Sequence, residues 1–227
     1  MIKCPSCARE QEPRLLCAEC GSPMGLALDL FAALGLPRKL TLDASRLEQV
    51  YHDLGRRIHP DRFANGAASL RDASLRGTAL LTRAYRTLRD PVSRGLYWLE
   101  LNGHKLAENN KNVPADLAAM VFEVQEQLDD LRNARGGNSG EAERLRGEVD
   151  ARRIELRRMI EQAQNELVQN FARWDARSAA DAYVNQTDRN ATLDALVMEL
   201  KAILSKIAYL RTLIRDIDRE LDSAQAA

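Results

Sequence analysis

Between residues 45 and 58, apolar side chains fall at Leu47, Val50, Tyr51, Leu54 and Ile58. This i, i+3, i+4, i+7, i+11 spacing predicts an amphipathic helix. Ser45 followed by Glu48 offers a capping box at its start. Pro60 ends it, because the residue before a proline is pushed out of helical geometry. A second helix is predicted through Leu70, Ala73, Gly77, Leu81, Ala84, Tyr85 and Leu88, ending at Asp90-Pro91. With a polar loop from about His59 to Ala67, the two form an antiparallel pair. Further along, Leu117, Val121, Val124, Leu128 and Leu131 make the seam of a helix from about Val113 to Leu131. Gly136-Gly137-Asn138-Ser139-Gly140 breaks the chain. A long periodic stretch then runs from about Glu141 to Val184, with Asp175 to Ser178 as a candidate bend. The last helix, from about Asn190, carries Leu193, Leu200, Ile207, Ile214 and Leu221 at one heptad position and Leu196, Ile203, Leu210 and Ile217 at the other. Tyr209 and Leu213 fall off this seam, on one face. Such a sustained seam predicts an elongated antiparallel three-helix bundle.

Composition narrows the class. Of 227 residues, 5% are aromatic and 29% charged, and glycine and proline are few, which favours helices over sheet. The formal net charge is zero, so no whole-molecule attraction to nucleic acid or membrane is expected. The most apolar run, Leu26 to Leu36, is 11 residues and contains Asp29, too short to span a bilayer. Met1-Ile2-Lys3-Cys4 does not open a signal peptide. A cytoplasmic protein is expected.

All four cysteines lie in the first 20 residues. Disulfide frameworks spread their cysteines through the fold, so this clustering points to local metal chemistry in a reducing compartment. Cys4-x2-Cys7 and Cys17-x2-Cys20, nine residues apart, have the spacing of a four-thiolate knuckle pair. Cys4, Cys7, Cys17 and Cys20 are therefore the predicted metal ligands. The expected ion is a structural Zn2+, with iron in a rubredoxin-like site as the alternative. A closed four-sulfur shell leaves no position for catalysis. A zinc-ribbon nucleic-acid binder would need basic residues here, and Lys3, Arg9 and Arg14 are balanced by Glu10, Glu12 and Glu19.

The tripeptide His59-Pro60-Asp61 follows a helix carrying Arg56 and Arg57 and precedes a second helix. This is how a J domain is built. The run Phe31, Leu36-Pro37, Asp43, Leu47, Tyr51, Leu54, His59-Pro60-Asp61-Arg62-Phe63 resembles the HscB family of co-chaperones. So does Ala84-Tyr85-x-x-Leu88-x-Asp90-Pro91-x-x-Arg94-x-x-Tyr97, followed by Leu99, Leu101 and Gly103. The resemblance implies an all-α protein with a four-cysteine module at 1–24, a J domain at 25–104 and a client-binding bundle at 105–227. It implies that His59, Pro60 and Asp61, with Arg56, Arg57 and Arg62, dock on a DnaK/HscA-type chaperone and promote its ATPase. The local charge agrees. Residues 45–89 hold nine Arg and four Asp or Glu, which suits an acidic docking surface. No nucleophile or second acid accompanies His59, so catalysis by the chain itself is not expected.

Residues 113–131 contain five acidic and no basic residues. Phe122 lies off the seam among them, a candidate partner patch. HscB proteins bind the iron–sulfur scaffold IscU through an apolar and acidic patch on the bundle. By resemblance the matching positions are Leu117, Ala118, Ala119, Phe122, Glu123, Glu126 and Tyr209. Ala118 and Ala119 replace larger apolar residues and Gln125 a common arginine. The expected function is a co-chaperone in iron–sulfur cluster assembly that delivers IscU to its chaperone. The alternative is a co-chaperone of the same architecture with a different client.

Overall fold

The computed structural model describes residues 1–106, 117–134, 139–179 and 186–223. The chain divides into two compact units, Met1–Trp98 and Leu99–Ala227.

The first unit opens with a two-stranded antiparallel sheet, β1 (Ile2–Lys3) and β2 (Glu10–Gln11), with Ile2 opposite Gln11. Helix α1 (Leu30–Leu34) is short, capped by Asp29 and closed by Gly35 in left-handed geometry. Burial pushes the Asp29 carboxyl up, but the Ala32 N–H and the Arg38 guanidinium outweigh it and hold the group below its ordinary value. Helix α2 spans Ala44–Ile58. Its N-cap is Asp43, which accepts from the Arg46 N–H at 3.0 Å, so the Ser45–Glu48 capping box does not form. The cap sits two residues earlier because Ser45 is already inside the helix.

Helix α3 (Ala68–Arg89) lies against α1 and α2. Gly77 permits this approach, since a Cβ there would fall 2.3 Å from Ile58 Cδ1. Tyr51 on α2 stacks on Tyr85 on α3 with ring centroids 4.2 Å apart. Asp90 caps α4 (Pro91–Leu101) by accepting from the Ser93 N–H and hydroxyl, and Arg94 turns back to the Leu88 carbonyl at 2.6 Å. Phe31, fully buried, packs between Tyr97 and Trp98. The Asp-Pro, Arg and Tyr positions of the sequence motif are thus architectural.

The second unit is a bundle of α5 (Ala118–Asn133), α6 (Ser139–Ala179) and α7 (Gln186–Ser223). Cross-links give the directions. Arg153 meets Asp218 and Arg173 meets Glu199, so α6 and α7 are antiparallel. Glu123 meets Arg152 at 3.0 Å, and Ala134 and Glu141 border one surface hollow, so α5 and α6 are antiparallel too. Helix α6 is continuous through Asp175 to Ser178, so the chain is not broken there. Its 41 residues reach about 60 Å at 1.5 Å per residue. The expected start of α5 at Val113 and the expected end of the long stretch at Val184 lie outside the described residues, whereas α6 begins at Ser139, inside the expected break, and α7 at Gln186, ahead of Asn190.

Leu213, expected off the seam, is 2% exposed and belongs to the core with Leu117, Leu128, Leu210 and Ile217. A heptad seam describes a helix facing one partner. Helix α7 meets both α5 and α6, which widens its buried arc to take in Leu213 and pushes Ile214 to the margin.

Candidate functional site

The four cysteines converge. Their sulfurs all lie within 4.8 Å of one another, with Cys4–Cys20 and Cys7–Cys17 each at 3.7 Å. Zn–S bonds of about 2.3 Å give tetrahedral edges of roughly 3.8 Å. The donor set therefore fits a tetrahedral ion. The two halves are built alike. The Cys4 N–H donates to the Arg9 carbonyl and the Cys17 N–H to that of Ser22, both at 2.9 Å. The residue after each pair turns left-handed: Ala8 at φ 58° and Gly21 at φ 71°.

The four thiols share hydrogen bonds and are shifted unequally. The Cys20 N–H pulls the Cys17 thiol down to about 6, and the Ser22 hydroxyl and N–H lower Cys20. The Arg9 N–H pulls Cys7 down, but desolvation and the three neighbouring thiols push it up further, to about 12. Four thiolates this close need a cation among them. Cys4, Cys7, Cys17 and Cys20 would hold it, and its chemistry there is structural.

The second site is the α2–α3 turn. Ile58 is the last residue of α2; His59 is extended, as a residue before proline must be, and Pro60–Phe63 forms a 3-10 turn. His59 Nδ1 lies 3.3 Å from the Asp61 N–H, from which it accepts when neutral, and 3.4 Å from Asp61 Oδ2, with which it pairs when protonated. Either way the tripeptide is closed on itself while the Asp61 carboxylate stays 90% exposed. Below it, the fully buried Ser74 hydroxyl donates to the Ile58 carbonyl at 2.5 Å, and Arg71 donates to the Gly66 carbonyl at 2.6 Å. Arg56, Arg57 and Arg62 are exposed, Arg56 held by Asp53.

On α5, Phe122 is 75% exposed. Ala118, Ala119 and Glu126 are exposed at the i−4, i−3 and i+4 positions around it. Glu123 is exposed and paired with Arg152. Leu117 is fully buried and underlies this face without presenting surface. Tyr209 is half-buried and packs on the same core cluster.

No protein-family model matches the sequence. Among solved structures the chain is similar to human co-chaperone protein HscB, with a TM-score of 0.60 and 23% identity over 96% of this chain and 97% of that one. It is also similar to chaperone HscB from Vibrio cholerae, with a TM-score of 0.54 and 21% identity over 86% of this chain and 99% of the other. This chain has the HscB fold.

On that fold the His59-Pro60-Asp61 turn rests on residues the sequence did not single out. Ser74 was hidden because a serine inside a helix reads as polar surface. Its place beside Ala73 and one turn before Gly77, on the apolar stripe, was the available signal. Leu15 was missed because residues 1–24 lack periodicity, yet it is buried and its Cδ1 is 3.5 Å from where a Gly77 Cβ would stand. The cysteine segment is packed into the same unit as the turn.

Proposed function

We propose that this chain is a J-type co-chaperone of iron–sulfur cluster assembly, stimulating the ATPase of a DnaK/HscA-type chaperone and delivering an IscU-type scaffold to it. The observation that carries this reading is the His59-Pro60-Asp61 turn, self-closed and solvent-facing, on an HscB fold. A carboxylate that is exposed and held in place can accept a charge-assisted hydrogen bond from a partner arginine. Arg56, Arg57 and Arg62 around it add attraction for an acidic surface. The 1–24, 25–104 and 105–227 segments would serve as metal module, J domain and client-binding bundle. The chain acts as an adaptor, with no chemistry of its own, in the reducing cytoplasm.

His59→Gln is expected to abolish stimulation of the chaperone's steady-state ATPase with helicity unchanged by circular dichroism; full stimulation by the variant would sink the mechanism. Client delivery rests on Phe122, Ala118, Ala119, Glu123 and Glu126, with Leu117 beneath them and Tyr209 nearby in the same unit. The small Ala118 and Ala119 beside Phe122 favour a second reading, in which the same architecture serves another client. A pull-down that captures IscU supports the first; one that captures the chaperone but leaves IscU behind supports the second. The four-thiolate site would hold zinc, so metal analysis of protein purified in air should give one zinc per chain. Iron in its place would overturn that assignment.

A further inference from the structure

Within the first unit, the cysteine module and the first helices border an open hollow of about 320 Å3. Leu15 and Leu16 of the module, Leu34 at the end of α1 and Leu54 on α2 supply apolar wall. Arg14 from the module and Arg57 from α2 stand at it, both exposed, and no acidic residue lines it. Some arginines of this unit are paired, Arg38 with Asp29, Arg56 with Asp53 and Arg76 with Asp72, while Arg46, Arg62, Arg83, Arg86 and Arg89 have no acid at ion-pair distance among the described residues. Among the described residues, neither Arg14 nor Arg57 has an acid within ion-pair distance. Two uncompensated cations beside an apolar wall focus a positive potential into the hollow.

We propose that this hollow is a second docking point for the ATPase chaperone, receiving an acidic segment of the partner together with an adjoining apolar side chain. The inference rests on the J-type reading and extends it to the cysteine module. Continuity and charge identify the occupant. Arg57 is one of the arginines that the J-type reading sets against the chaperone, so the hollow shares a residue with that surface, although none of His59, Pro60 and Asp61 lines it. The charge also separates the two partners. The client face on α5 is acidic and suits a basic surface, whereas this hollow suits an acidic one. Arg14 lies between the two cysteine pairs, so the bound metal fixes the loop that presents it. The module is then a recognition element as well as a clip.

The test titrates full-length protein into the HscA-type chaperone and reads ATPase stimulation for the parent, Arg14→Glu, Arg14→Ala, Arg14→Lys and His59→Gln. Arg14→Glu is expected to raise the concentration for half-maximal stimulation about three- to tenfold, Arg14→Ala less, and Arg14→Lys little. Maximal stimulation and bound metal should be unchanged, and the difference should narrow with added salt. His59→Gln tests the underlying reading separately, by removing the maximal stimulation. Half-saturation at the parental value in Arg14→Glu, with His59→Gln inactive, overturns the docking point and leaves the J-type reading standing. Loss of IscU binding in Arg14→Glu with chaperone half-saturation unchanged overturns it as well.

Discussion

Ile58 and Gly77 meet at the point where α2 delivers the chain into His59. A methyl group at Gly77 would stand 2.3 Å from Ile58 Cδ1, so this fully buried side chain must shift to admit it. Overpacking of this kind costs roughly 1–3 kcal/mol. Alanine's better helix propensity offsets about 1 kcal/mol of it. Gly77→Ala should therefore lower the thermal midpoint of the first unit and displace the end of α2, reducing chaperone stimulation. A raised midpoint with full stimulation would show that Ile58 yields to the methyl group without disturbing the end of α2. Ser74 acts at the same spot by a different means: its hydroxyl satisfies a buried carbonyl that the end of α2 would otherwise leave unpaired.

At the scale of elements, periodicity carried most of the information. The α2–α3 pair, its proline stop and the three bundle helices are all legible, because each buries one stripe against a neighbour. What escaped had no stripe to show. The packing of Leu15 and Leu16 depends on a fold set by four sulfurs, and Leu213 is buried because α7 faces two helices. Asp43 took the cap from Ser45 because both residues can cap, and only the start of the helix decides between them. The site residues were legible to the same degree. Cysteine spacing is local and exact in sequence, so the metal site could be read. Leu117 could not be separated from Ala118 and Ala119, because one residue's shift around α5 moves a side chain from core to solvent. Two substitutions distinguish these faces. Leu213→Ala removes buried core and should cost about 2–5 kcal/mol in denaturant unfolding. Phe122→Ala should leave stability within about 0.5 kcal/mol of the parent yet weaken IscU binding roughly tenfold or more by titration. A Phe122→Ala protein that unfolds easily, or binds IscU as before, would remove Phe122 from the client face.

For the whole molecule, the account assigns two tasks to two units of one chain. The first presents a closed, charged turn and a four-cysteine module; the second presents an exposed Phe122 beside Glu123 and Glu126. None of the helices among the described residues is long and apolar enough to cross a membrane. The central claim is that one chain brings a client and a trigger to the same chaperone. Single-turnover ATP hydrolysis by the HscA-type chaperone, with this protein alone and with IscU added, tests it most directly. The account predicts acceleration by the protein, a further increase with IscU, and loss of both in His59→Gln. Hydrolysis that this protein leaves unaccelerated, with IscU or without it, would contradict the claim.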